Sequence, residues 1–225
     1  METFDVLKVS IVLRAIFRAM IDSNKERIIR LAREQFYKYG VKRITMDDLA
    51  RELGISKKTI YQEYRDKDEL INEMAAIDMK NHGAQIQHMA KTADNAVDEI
   101  VKTMQYINNT FSAINPALFF DLKKYHVRAW KQYESFKMQC VTEVIQKNLK
   151  RGIKEGLYRS DINISILTHL RIVEMEFSMD ADFYRQFQFD FIKVHIELIK
   201  HFLFGIATLK GHKLINKLMN VNEKE

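Results

Sequence analysis

Residues 44–64 read ITMDDLARELGISKKTIYQEY, and the punctuation of this stretch decides the fold. Thr45 precedes the acids Asp47 and Asp48, as an N-cap followed by first-turn carboxylates does, so a helix is expected from about Met46 to Leu53. Gly54 suits the left-handed residue that ends a helix, and Ser56 can cap a new helix two residues later. Two helices joined by so short a turn form a helix-turn-helix. Ala50 is small where the pair would cross, and Leu49, Leu53, Ile55 and Ile60 supply the apolar positions that fix its angle. The spacing of Ala50, Gly54 and Ile60 is that of the DNA-reading version, whose second helix enters the major groove.

The chemistry of the second helix fits that task. Ser56, Lys57, Lys58, Thr59, Tyr61 and Gln62 put hydroxyls, ammonium groups and an amide where base edges and phosphates would lie. Arg43, Thr45, Tyr64 and Lys67 bracket the motif and are expected to hold the DNA backbone on either side. Upstream, Ile28, Ile29, Leu31, Ala32, Phe36 and Tyr39 recur at helical spacing and stop at Gly40, which predicts a preceding helix. Residues 24–70 carry 12 basic and 9 acidic side chains, so half of the chain's net charge of +6 lies in about a fifth of its length.

These residues carry a resemblance. Phe36 to Gly40, Thr45 with Leu49-Ala50, Gly54-Ile55-Ser56, and the series Tyr61, Tyr64, Lys67, Leu70 make residues 25–71 similar to the N-terminal domain of TetR-like transcriptional repressors. Tyr64 stands where that family more often has Phe, and Lys57-Lys58 where a small residue is common. The resemblance implies that Thr45, Tyr61, Tyr64 and Lys67 contact phosphates while Ser56, Lys57, Lys58 and Thr59 face the groove. It also implies a homodimer, and an effector that moves a helix shared between the DNA-reading part and the rest of the chain.

The remainder of the 225 residues reads as long helices. One proline and seven glycines are too few for turn-rich sandwiches, barrels or Gly-loop nucleotide folds, so the expected fold is all-α. Segments are predicted at 67–90, 94–113, 116–125, 127–155, 161–179 and 188–207. The expected organisation is an N-terminal extension at 1–22, a DNA-binding domain at 23–70, and a helical ligand-binding and dimerisation domain at 71–225. Segments 161–179 and 188–207 are apolar on more than one face, which predicts a four-helix dimer interface that would set two recognition helices about one DNA turn apart on a near-palindromic operator. Residues 104–140 concentrate aromatic and sulfur side chains. Met104, Phe119, Phe120, Tyr125, Trp130, Tyr133 and Met138, with His169, are candidates for an apolar ligand pocket, and plain core packing is the competing reading. His126, Arg171 and Glu174 are further polar candidates.

No catalytic or metal-binding pattern accompanies these features. No two of the seven histidines stand four apart, no phosphate-cradling glycine loop exists, and the single cysteine, Cys140, falls within a helical apolar pattern. One cysteine forms no internal disulfide and suits a reducing compartment. No cofactor, metal or enzymatic activity is expected. Residues 1–22 have acids ahead of their apolar part and arginines within it, unlike a secretory signal; they read either as an amphipathic helix or as an upstream extension of a chain that starts at Met20. Without an apolar run long enough to span a membrane, a cytoplasmic protein is expected. The function expected is that of a sequence-specific DNA-binding regulator, a repressor released from double-stranded operator DNA by a small apolar effector. The alternative is a helical interaction or adaptor protein without DNA binding.

Overall fold

Side-chain caps cut the chain into helices at the positions that its polar residues mark. The computed structural model describes residues 23–177 and 190–220; the segments 1–22, 178–189 and 221–225, and with them both expectations for the N-terminal extension and the ends of the predicted segments 161–179 and 188–207, lie outside the described residues. The helices are α1 (Asn24–Tyr39), α2 (Met46–Leu53), α3 (Lys57–Glu63), α4 (Lys67–Thr92), α5 (Ala96–Phe111), α6 (Ala117–Tyr125), α7 (Val127–Phe136), α8 (Thr142–Lys154), α9 (Ile164–Phe177), α10 (Phe191–Ile206) and α11 (Leu209–Met219), with a π-helical turn at Lys137–Val141. Ser23 with Glu26, and Thr45 with Asp48, form reciprocal capping boxes that satisfy otherwise orphaned amides at the starts of α1 and α2. Gly54 ends α2 in the left-handed conformation, with φ 66° and ψ 28°. The fold is all-α: among the described residues the only β feature is an isolated bridge between Tyr158 and Ala207.

Three departures from the sequence reading have local causes. The predicted segment 127–155 runs unbroken from Val127 to Lys154 but is not a uniform α-helix, because a π turn accommodates one extra residue between α7 and α8. Helix α11 was not anticipated; its start is marked by Thr208, whose hydroxyl accepts from Gly211 N at 3.1 Å, directly behind the apolar run of α10. Gly83, a residue type poorly suited to a helix interior, is no break: it lies buried inside α4 against Phe136 and Cys140.

Two hydrophobic cores form. The first joins Ile28, Phe36, Leu49, Ile60, Leu70 and Ile71 of α1–α4 to Leu118 of α6 and Ala129 of α7. Helix α6 also finishes the end of α1: Asn115 N donates to Tyr37 O at 2.7 Å, and the Asp121 carboxylate accepts from Lys42 N at 2.8 Å. The second core gathers Val97 of α5, Leu149 of α8, Leu203 of α10, Ile215 of α11, and Tyr158. At its centre the Tyr158 hydroxyl lies 3.0 Å from Ala96 O and 3.1 Å from Asn148 Oδ1, while Asn148 Nδ2 donates to Ala96 O at 2.9 Å. These polar groups are buried and therefore need one another. Helix α4 leaves the first core at Ala75 and runs on beside α5 and α8.

A Cβ on Gly152 would lie 2.0 Å from the Tyr158 ring. Gly152→Ala should therefore displace a fully buried tyrosine and lower the unfolding free energy by about 1–3 kcal/mol, as overpacking does, measured by urea denaturation. His195 of α10 offers a second check. It is buried, and burial, followed by the charge of Arg171, pushes its imidazole down to about 3. The unfolded chain then binds a proton that the folded chain excludes, so stability is complete above roughly pH 6.5 and falls by about 1.4 kcal/mol per pH unit below it. His195→Gln should flatten that acid limb; an unchanged pH dependence would show that His195 does not produce it.

Candidate functional site

Helices α2 and α3 cross where Ala50 leaves room. Ile55 N donates to Ala50 O at 3.0 Å across the turn, and Ile60 points inward with no exposed surface. With Ile60 buried, the opposite side of α3 must face solvent, and Lys57, Lys58, Tyr61 and Gln62 are exposed there. Ser56 caps α3, accepting from Thr59 N at 3.0 Å, and its hydroxyl lies 2.8 Å from that of Thr59, so this pair is held by local bonds. The Lys57 ammonium pairs with Asp47 in the first turn of α2, tying the two helices together on their outer side. Thr45 caps α2, and hydrogen bonds from Thr45 and then Arg51 hold the Asp48 carboxyl below the usual carboxylate range. Arg43 is exposed in the preceding loop.

Two residues expected on the phosphates sit elsewhere. Tyr64 is only 1% exposed, its hydroxyl buried without a hydrogen-bond partner, and burial pushes its phenol upward. Its ring is part of the first core, which is a role that Phe fills without stranding a hydroxyl. Lys67 is half-buried; its ammonium donates to Val41 O at 2.5 Å and to Ile44 O, above the Phe36 ring at 5.4 Å. Burial lowers its pKa. The ammonium thus satisfies loop carbonyls between α1 and α2, because a long side chain at a helix start can fold back onto the protein.

Between the two cores lies a cavity of about 240 Å³. Its wall is mainly apolar and aromatic, with Tyr106 of α5, Phe119 of α6, Trp130 and Tyr133 of α7 and Phe202 of α10 among the lining residues. Phe119, Trp130 and Tyr133 are thus brought together as the sequence suggested. Met104 is buried but turned away, since α5 presents Ile100, Thr103 and Ile107 to the cavity. Phe120, Tyr125 and Met138 lie on the outer faces of their helices, and His169 is exposed, with Nδ1 2.8 Å from Ser165 O. His126 pairs with Asp68 at the start of α4.

The cavity's polar groups come largely from residues not singled out beforehand. Asp78 of α4 accepts from Arg33 Nε at 2.7 Å and from the Tyr37 hydroxyl at 2.9 Å. His82, one turn on, bonds the Tyr106 hydroxyl, and burial pulls its imidazole down. Burial raises Glu99, which Asn148 and Arg151 partly offset. Arg171 Nη1 donates to Glu174 at 3.1 Å. The recurrence of Met74/Ala75, Asp78/Met79, His82 and Ile86 along α4 is the signal that would have found this wall. Among the described residues no group of three or more His, Cys, Asp or Glu could hold a metal ion, and no helix is long and apolar enough to cross a membrane.

Residues 28–74 match the family of bacterial regulatory proteins described as tetR. The chain is 28% identical over 148 residues to the uncharacterized HTH-type transcriptional regulator YvaF of Bacillus subtilis (strain 168), covering 64% of this chain and 76% of that one. Its fold is similar to a TetR-family transcriptional regulator from Agrobacterium tumefaciens, with a TM-score of 0.66 at 13% identity over 82% of this chain and 97% of the other. It is also similar to the transcriptional regulator FadR from Bacillus subtilis in complex with stearoyl-CoA, with a TM-score of 0.54 at 14% identity over 80% and 98%. Residues 28–74, with their capped helix-turn-helix, thus match the tetR family's DNA-binding domain, and the all-helical body behind them has the fold of TetR-family transcriptional regulators.

Proposed function

We propose that the chain is a ligand-responsive, sequence-specific repressor that binds a near-palindromic operator as a homodimer and lets go when a small apolar effector fills the cavity. The observation that carries this reading is the position of the cavity. Its wall includes Tyr37 of α1 and Met74, Asp78 and His82 of α4, so a ligand there touches the helices that support the recognition helix. An effector that favours the released arrangement by about 3 kcal/mol would change operator occupancy by roughly two orders of magnitude. FadR, bound to stearoyl-CoA, is a structural neighbour in which a regulator of this fold carries a molecule with a long apolar acyl chain. In this reading residues 23–70 bind DNA and residues 71–225 hold the effector and the dimer contact.

The dimer reading is supported by α9. Ile166, Leu170, Val173 and Phe177 are 64%, 45%, 57% and 42% exposed and recur at spacings of four, three and four, which is one continuous helix face. Helix α10 packs beside α9, and its large apolar side chains Phe191, Ile199, Phe202 and Leu203 face inward, leaving Lys193, Glu197, His201 and Gly205 exposed. Pairing through the two helices therefore rests chiefly on the α9 stripe.

Wild-type chain should bind a labelled fragment of its own upstream DNA with steep salt dependence; failure to prefer that fragment over unrelated DNA would sink the operator reading. Lys58→Ala should change which sequence is preferred, by about 1–3 kcal/mol at the affected base pair. Lys67→Met should weaken binding to every sequence alike and lower the melting temperature, because Val41 and Ile44 lose their shared donor. For the dimer, Leu170→Glu with Val173→Glu should convert the protein to a monomer in sedimentation at micromolar concentration and lower operator affinity at least tenfold. A variant that still sediments as wild type would place the interface elsewhere.

A further inference from the structure

We propose that the α6–α7 corner and the α1–α2 loop form a second DNA-binding surface, one that grips phosphates beyond the bases read by α3. The inference rests on the chain being a DNA-binding regulator and adds a contact that the helix-turn-helix does not supply.

The corner concentrates cations. Lys123 and Lys124 of α6 and Arg128 and Lys131 of α7 are exposed, as are Lys42 and Arg43 of the loop that α6 covers. Among the described residues none of these six is in an ion pair, whereas Arg51, Lys57 and Arg65, also exposed in the DNA-binding domain, have carboxylate partners. The nearby acids are occupied. Asp121 is buried and accepts from Lys42 N, Asp68 takes His126, and Glu134 accepts from the Trp130 indole at 3.0 Å. An uncompensated cluster of like charges is mutually repulsive, and a polyanion relieves that repulsion.

Aromatic rings hold the ammonium groups in place. Lys42 Nζ lies 5.7 Å and Lys124 Nζ 5.4 Å from the centroid of the exposed Tyr125 ring, so cations from the loop and from α6 meet over one side chain. Lys124 Nζ is also 5.3 Å from the Phe120 ring, and Lys123 Nζ 5.8 Å from that of Trp130. Such contacts restrain flexible lysines without neutralising them.

Continuity with the DNA-reading unit selects duplex DNA as the occupant. Arg43 stands two residues before the cap of α2, and Lys42 is bonded through its amide to α6. His126, at the corner itself, is bonded to Asp68 in the first turn of α4, and Gln132 Nε2 donates to Asn72 O at 3.1 Å. The cluster is therefore fastened to the elements that flank the recognition helix. Phosphate contacts of this kind carry no sequence information and appear as salt dependence.

The test uses the full chain and a random-sequence duplex of about 40 base pairs, roughly four helical turns. Lys123→Gln, Lys124→Gln and Arg128→Gln combined should leave the melting temperature unchanged. They should reduce the magnitude of the slope of log K against log salt by about 2.7, since each of three phosphates neutralised contributes about 0.9, and weaken binding at least tenfold. The control replaces Lys150, Lys154 and Lys213, exposed cations beside the second core, by Gln and should leave the slope as it is. An unaltered slope in the first variant, or an equal loss in the control, overturns the proposal. So does loss of binding to phosphatidylserine-containing vesicles with DNA binding intact, which would assign the patch to a membrane surface. If wild type binds no duplex at all, it is the DNA-binding reading itself that has failed.

Discussion

The carboxylate of Asp78 is the joint on which the arrangement turns. It is buried on α4, at the edge of the cavity, and receives Arg33 and Tyr37 from α1. Burying a carboxylate costs several kcal/mol unless charge and hydrogen bonds compensate it, so α1 cannot drift from α4 without exposing that cost. The same requirement orients Tyr37 so that its ring forms part of the cavity wall. One electrostatic constraint thereby fixes the first helix of the DNA-binding domain to the helix that enters the rest of the chain.

Around that joint the two cores behave as separate packing problems that share a boundary. The first is completed by α6 and α7, so the DNA-reading helices have no closed interior of their own. The second is stapled by Tyr158, Asn148 and the Ala96 carbonyl. A cavity at such a boundary is where a guest can alter the relation between two well-packed bodies while disturbing neither, because close-packed interiors shift as units more readily than they deform. Helix α6 lies on both sides of the matter: Leu118 and Phe119 face the cavity, while Asp121 holds the loop after α1.

Much of the DNA-binding domain was legible in the sequence because its signals are local. Thr45, Gly54 and Ser56 act within three or four residues of themselves, and each terminates or starts a helix where it was read to do so. The roles of Tyr64 and Lys67 were not legible, because both depend on what lies across space: a core that encloses the tyrosine, and carbonyls of Val41 and Ile44 that come within reach of the lysine. The cavity shows the same division. Aromatic richness in α6 and α7 pointed to Phe119, Trp130 and Tyr133, yet composition cannot assign helix phase, so Phe120, Tyr125 and Met138 were included although they face outward. Asp78 and His82 were missed because a pocket's polar groups are chosen by convergence of several helices, which no single periodicity records.

The π turn at Lys137–Val141 has a consequence for how this protein can change over time. Cavity-lining residues follow the α-helical rhythm through Ala129, Tyr133 and Phe136, then step by five to Val141 before resuming at Val144, Ile145 and Asn148. The wider turn absorbs the extra residue, so both halves of a nearly continuous rod stay aimed at the same space. Deleting one residue in the turn would leave a plain α-helix in which the lining positions beyond follow Phe136 by four, seven, eight and eleven residues, so that Asn148 and Leu149 keep their register with the second core. Lineages of this protein are thus free to lose one residue between Phe136 and Thr142 without turning either half of the rod away from the cavity, whereas a deletion within α7 or α8 would rotate everything beyond it by about 100°.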